Sequence, residues 1–186
     1  FRLEDYRPSD YLIPETRLDF RLSPDATTVV AELVVERREG TAAGAPLVLQ
    51  GDGLTLKRLE IDGAAVPAEA YSAEPDELTI PNPPAGRFHL TIETEIAPAA
   101  NLALMGLYRS NGVYCTQCEA EGFRRITYFL DRPDVLSVYT VRIEADRGEA
   151  PVLLSNGNPR EAGELAGGPH FPPWRAPVPK PPDLFT

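Results

Sequence analysis

Hydrophobic and polar residues alternate with a period of two along most of the chain, which is typical of half-buried β-strands rather than of helices. The alternation is clearest in Phe88, Leu90, Ile92, Thr94 and Ile96. Comparable runs predict further strands at 17–22, 29–36, 46–50, 54–61, 77–80, 137–145 and 151–155. Strands that recur with turn signals between them predict an all-β fold, an antiparallel β-sandwich.

Turn and helix signals refine this prediction at two places. Asp62-Gly63 follows the run 54–61 and predicts a hairpin turn, because both residue types tolerate positive φ. One short helix is expected near 120–130, where Glu119 and Glu121 would favour its N-terminal end. Arg132-Pro133 would stop that helix, since the residue before a proline is disfavoured in the helical conformation.

Proline distribution predicts the domain organisation. The chain has 20 prolines in 186 residues, and they become dense after Gly167-Gly168. Such a stretch is typical of an extended connector. We therefore expect a β-sandwich domain at 1–175 and a Pro-rich connector at 176–186.

Charge and composition argue against some classes of binding partner. The formal net charge of −10 disfavours nucleic acid and anionic membrane surfaces, because both are bound through clustered Lys and Arg. No apolar run is long enough to span a bilayer. With two cysteines and no signal-peptide pattern at the start, we expect a reducing, cytoplasmic location.

The chain lacks the residue patterns of a complete catalytic or metal site. A zinc peptidase needs two histidines one helical turn apart, whereas His89 and His170 are isolated in sequence. Cys115 and Cys118 have the spacing of a zinc or redox pair but no further ligands nearby, so we expect buried free thiols. No catalytic residue and no bound metal are predicted for this chain.

Polar groups are densest between residues 114 and 124, where Gln117, Glu119 and Glu121 precede Arg124 and Arg125. In one interpretation Glu119 and Glu121 pair with the two arginines and have a structural role only. In the other, Glu119 binds an ammonium group by a charge-assisted hydrogen bond and the Gln117 amide helps to orient the ligand. Spacing alone leaves both interpretations open.

The run Cys115-Thr116-Gln117-Cys118-Glu119-Ala120-Glu121-Gly122-Phe123-Arg124 resembles a segment of the bacterial zinc aminopeptidases of the alanyl aminopeptidase (aminopeptidase N) family. Further segments match in the same order, at 6–11, 95–101, 106–108, 153–158 and 177–181. The resemblance implies a saddle-shaped β-sandwich that rests on a thermolysin-like catalytic domain of the same polypeptide. Pro182-Asp183 departs from the family pattern, which affects only the details of the connector.

The resemblance also implies roles for individual residues. Glu119 would contact the α-amino group of a peptide substrate, Gln117 would line the first subsite, and the Glu119–Ala120 peptide bond would be cis. Zinc and its ligands would belong to the catalytic domain, so this chain alone would be inactive. The alternative is a free-standing β-sandwich that acts as a binding or interaction module, which the all-β pattern and the lack of catalytic residues also favour.

Overall fold

Strands dominate the fold, as the alternating pattern predicts. The computed structural model describes residues 2, 4, 6–159, 163–164, 170–171 and 173–186. The strands in these residues are β1 (Tyr11–Arg21), β2 (Thr27–Arg37), β3 (Leu47–Gln50), β4 (Thr55–Ile61), β5 (Ala64–Ala65), β6 (Ser72–Glu74), β7 (Glu77–Ile80), β8 (Phe88–Ile96), β9 (Gly106–Ser110), β10 (Val113–Gln117), β11 (Ser137–Glu144), β12 (Asn158–Pro159), β13 (Gly163–Glu164), β14 (His170–Phe171) and β15 (Pro173–Lys180). Single 3-10 turns lie at Ala68–Ala70, Pro98–Ala100, Phe123–Arg125 and Pro182–Leu184.

One large sheet organises the molecule. Its eight strands run in the order β12-β15-β11-β1-β2-β8-β4-β5, and a three-stranded sheet has the order β3-β7-β6. The remaining pairs are the β9–β10 and β13–β14 hairpins. The expectation of a purely antiparallel fold is wrong at one pairing, because β1 and β11 are parallel from Glu15↔Val138 to Arg21↔Glu144. The long stretch of chain between these two strands permits that direction, which a tight hairpin could not.

The two sheets share one hydrophobic core. Alternate residues of β2 are fully buried, and the same core includes residues from β3 and β7 of the smaller sheet. These core residues are Val29, Ala31, Leu33 and Val35 from β2, with Leu47, Leu49, Leu78 and Ile80 from the smaller sheet. Packing of two sheet faces over a common core is the sandwich-like arrangement that the sequence predicts.

A cluster of aromatic side chains packs in the core around Phe123. Phe123 lies with its ring centroid 4.8 Å from Phe129, 5.9 Å from Tyr139 and 5.2 Å from Phe185, each in an edge-on arrangement. Phe185 is only 2% exposed. The cluster therefore joins the 3-10 turn at Phe123–Arg125 to the residues that follow β15.

The helix near 120–130 is shorter than its expected extent, since only Phe123–Arg125 form a helical turn. Residues 126–131 are all buried, which an amphipathic helix with one solvent face cannot accommodate. Instead Ile126 and Thr127 continue the turn, and Phe129 joins β3 through hydrogen bonds in both directions with Gln50, at 2.8 and 3.0 Å.

The structure also bears on the predicted strand at 151–155 and on the Pro-rich segment. The predicted strand at 151–155 is wrong: these residues pair with no strand of the described part of the chain, and Val152 and Leu154 are 71% and 80% exposed. The Pro-rich segment is extended as expected, but β15 pairs with β11 and carries the buried Trp174. The predicted boundary between 175 and 176 thus falls inside β15, and the connector role of 176–186 stays a prediction.

None of the helical turns in the described residues is long or apolar enough to cross a bilayer.

Candidate functional site

The candidate site is the turn that follows the β9–β10 hairpin. Gln117 is the last residue of β10, and it lies opposite Gly106 at the start of β9. Gln117 and Glu119 are exposed, whereas Cys118 between them is 2% exposed. The Gln117 side-chain amide donates a hydrogen bond of 3.2 Å to the main-chain oxygen of Glu119. The two predicted site residues are therefore brought together on one surface turn.

Backbone geometry holds this turn close to the hairpin. The amide of Gly122 donates to the carbonyl oxygen of Cys118 at 2.8 Å, which closes the turn. A Cβ on Gly122 would lie 2.4 Å from the Gln117 carbonyl oxygen, so only glycine fits. Gly106 has φ of +70° and packs equally tightly against Arg125. The peptide bond between Glu119 and Ala120 is cis, as the resemblance implies.

The nearby arginines pair selectively. Arg124 forms ion pairs with Asp131 at 3.0 Å and with Glu121 at 3.4 Å, while Arg125 pairs with Asp52 at 2.7 Å. Among the described residues, no hydrogen bond or ion pair involves the Glu119 carboxylate. Glu121 thus pairs with Arg124 as the structural interpretation expects, whereas no such pair of Glu119 is seen in the described residues.

Asp131 is a buried carboxylate that lies next to the candidate site and bonds to Arg124. Its carboxylate accepts the main-chain N–H of Arg124, seven residues earlier, at 3.0 Å. Its side chain is 1% exposed, and burial raises the pKa of the Asp131 carboxyl against the opposing effect of the Arg124 hydrogen bonds. Only its position between two apolar runs hinted at burial.

The two cysteines differ in burial. Both thiols are free; Cys118 is buried as expected, whereas Cys115 is only half-buried. Burial raises the pKa of the Cys118 thiol to about 12, so it is neutral and weakly nucleophilic near pH 7. Within the described residues no three His, Cys, Asp or Glu side chains converge as a metal site requires. This part of the chain therefore offers no donor set that fits zinc, and His170 has no described side chain.

Fold and site together define an all-β domain with the Glu119 carboxylate and the Gln117 amide exposed on a tightly held turn, the carboxylate having no ion-pair partner in the part of the chain that the structure describes. Residues 15–182 match the model of the Peptidase M1 N-terminal domain, and the chain belongs to this family. This match confirms the resemblance drawn from the sequence.

Relatives and solved structures agree with the family. The chain is 56% identical over 184 residues to aminopeptidase N of Caulobacter vibrioides, and 49% identical over 182 residues to that of Escherichia coli. These alignments cover 99% and 98% of this chain but 21% and 20% of the relatives, so the chain spans about a fifth of their length. Legionella pneumophila aminopeptidase A, solved in complex with aspartic acid, superposes over 100% of this chain and 22% of its own, with a TM-score of 0.90 and 34% identity. An M1 zinc metallopeptidase from Deinococcus radiodurans shares the fold at a TM-score of 0.79 and 16% identity, over 95% of this chain and 41% of its own.

Proposed function

We propose that this chain is the amine-binding N-terminal domain of a zinc-dependent aminopeptidase that removes N-terminal amino acids from peptides. The domain packs on the catalytic domain of the same polypeptide and supplies Gln117 and Glu119 to the substrate site. The observation that carries the proposal is the exposed Glu119 carboxylate, which lacks a protein partner in the described residues although two arginines lie within six positions. Membership of the family and similarity to aminopeptidase N support it.

In the proposed mechanism, the domain fixes the position of the substrate amine relative to the catalytic centre. A charge-assisted hydrogen bond from the substrate ammonium to Glu119 fixes one end of the peptide, and Gln117 keeps the turn in place through its bond to the Glu119 carbonyl. Holding the amine at a set point places the first peptide bond at the catalytic centre, which is a proximity effect. Zinc in the catalytic domain supplies the Lewis acid that polarises the scissile carbonyl. This chain binds no zinc and is inactive alone; the cytoplasm is its proposed location, supported by its free thiols.

The test is Glu119→Gln in the full-length enzyme, with a peptide-like alanyl substrate. We expect kcat/KM to fall roughly 10- to 1000-fold, because a lost contact to a charged group costs about 1.5–4 kcal/mol. Glu121→Gln is the matched control, two residues away in the same turn. It should change kcat/KM less than about threefold, because its carboxylate is 69% exposed and already pairs with Arg124. An unchanged kcat/KM for Glu119→Gln would remove the basis of the proposal.

The alternative, a free-standing binding module, is favoured by one observation. An apolar cavity of about 330 Å³ lies between the β9–β10 hairpin and residues 149–155. A cavity of this volume is large enough for a small ligand. Retention of an apolar ligand by a monomer of this chain would support the module.

A further inference from the structure

Arg124 lies between a buried carboxylate and the exposed turn that carries Glu119. The Asp131 Oδ2 atom accepts both the main-chain N–H and the Nε–H of Arg124, each at 3.0 Å. The main-chain oxygen of Asp131 accepts a third bond from the same guanidinium at 3.1 Å. Three bonds between two residues fix the direction of the Arg124 side chain as well as its backbone.

Asp131 is itself held by the small sheet. Its main-chain N–H donates to the Gln50 side-chain oxygen at 3.1 Å, and the backbone of Gln50 pairs with Phe129. Asp131 is 3% exposed and the Arg124 side chain is 21% exposed, so the network is buried at its Asp131 end. The anchor is thus part of the folded core and does not depend on surface contacts.

Arg124 is connected to the turn that carries Glu119 through the backbone and through an ion pair. The 3-10 turn at Phe123–Arg125 follows Gly122 directly, and the Gly122 amide closes the turn at Cys118. The guanidinium also draws the Glu121 carboxylate to 3.4 Å. Glu119 lies at the exposed centre of this closed segment, so its direction depends on how the 3-10 turn is oriented.

We propose that Asp131 and Arg124 are a positioning pair for the amine-binding carboxylate: they orient the turn 118–122 so that Glu119 faces the ligand ammonium, and they hold Glu121 aside. Neither residue touches the ligand. The proposal rests on the proposed function, because it requires that Glu119 binds an amine.

The experiment measures recognition of the amine directly in the full-length enzyme. The probes are an amino-acid hydroxamate with a free α-ammonium and its des-amino analogue, used as competitive inhibitors. The readout is the ratio of their inhibition constants in the wild type, Glu119→Gln, Asp131→Asn and the double variant. A general loss of structure weakens both inhibitors alike, whereas a positioning role changes the ratio.

We expect the preference for the amine-bearing inhibitor to fall at least about tenfold in Glu119→Gln and about fivefold in Asp131→Asn. The double variant should lose no more than Glu119→Gln alone, because residues that act through one another are not additive. Asp134→Asn is the control, since the Arg132–Asp134 pair at 2.8 Å lies in the adjoining turn and, in the described residues, forms no hydrogen bond or ion pair with residues 117–125. Its ratio should match the wild type.

The outcomes separate the two proposals. If Glu119→Gln loses the preference but Asp131→Asn keeps it, or if the two losses add, the positioning role is overturned and the proposed function stands. If Glu119→Gln keeps the preference, the proposed function falls, and the positioning role falls with it. If Asp131→Asn does not fold, Arg124→Lys gives the same test, because a single ammonium cannot reproduce the paired guanidinium bonds. A wild-type ratio in Arg124→Lys would then overturn the positioning role.

Discussion

At the scale of single residues, the turn at the candidate site depends on the absence of one side chain. Gly122 has φ of −86°, which any residue can adopt, so its requirement is for space and not for an unusual backbone conformation. The atoms that a Cβ would meet are the Gln117 carbonyl oxygen, the Cys118 Cα and the Gly106 amide nitrogen. All three belong to the main chain and cannot move aside as a flexible side chain would.

We expect Gly122→Ala to lower the free energy of unfolding by about 1–3 kcal/mol, the usual cost of overpacking. The measurement is urea denaturation of this chain, which gives the shift in midpoint at constant slope. Gly86→Ala is the control, because its added Cβ meets nothing within 4 Å. It should stay within about 0.5 kcal/mol of the wild type. Equal stability of the two variants would contradict the close approach seen at Gly122.

At the scale of elements, the segment after β15 is part of the fold although its prolines suggest a passive connector. β15 hydrogen-bonds to β11, and the turn Pro182–Leu184 then places Phe185 among Phe123 and Tyr139. Leu184, its neighbour, is 57% exposed. Two adjacent apolar residues thus have opposite environments.

Phe185→Ala should lower the free energy of unfolding by about 3–5 kcal/mol, because it empties an aromatic site in the core. Leu184→Ala should change it by less than about 0.5 kcal/mol. Thermal unfolding of both variants beside the wild type provides the comparison. Similar melting temperatures for both variants would show that residues 176–186 are held only loosely.

Local patterns predict strands and turns but not which strands pair. The runs 77–80 and 88–96 coincide with β7 and β8, and Asp62-Gly63 forms the expected turn with φ of 51° and 79°. The parallel β1–β11 pair depends on residues more than a hundred positions apart, which no local pattern encodes. Residues 151–155 have the alternation of a strand but find no partner.

For the candidate site, too, the sequence predicts some features and not others. Gln117 and Glu119 were identified from a dense motif and its resemblance to a known family, and the geometry brings them together. Arg124 pairs with Asp131 as well as with Glu121. The pair with Asp131 depends on burial of the segment 126–131, and the spacing of charges along a helix does not indicate that burial.

At the scale of the whole molecule, the apolar cavity beside the β9–β10 hairpin is bordered by exposed apolar side chains. Leu154 borders it with 80% of its area exposed, and Val152 lies beside it. Exposed apolar patches of this kind mark interaction sites. The net charge of −10 opposes association of like chains and makes it weak at low salt.

We therefore expect this chain to self-associate as its concentration and the salt concentration rise, and Leu154→Lys to reduce that association. Sedimentation velocity over a range of concentrations measures it. Leu102→Lys is the control, because Leu102 is 90% exposed but lies away from this cavity. If both variants behave as the wild type, the cavity is not the site of association.

The parallel pairing of β1 and β11 has a consequence for synthesis on the ribosome. β1 lies between β2, which follows it at once, and β11, which is separated from it by about 115 residues. At a translation rate of about 5–20 residues per second, those residues take roughly 6–23 s to make. During that interval one edge of β1 has no native partner, and an unpaired edge can accept a strand from another nascent chain. The growing polypeptide is therefore most exposed to misassembly before its centre is complete, and it loses this vulnerability when β11 is added.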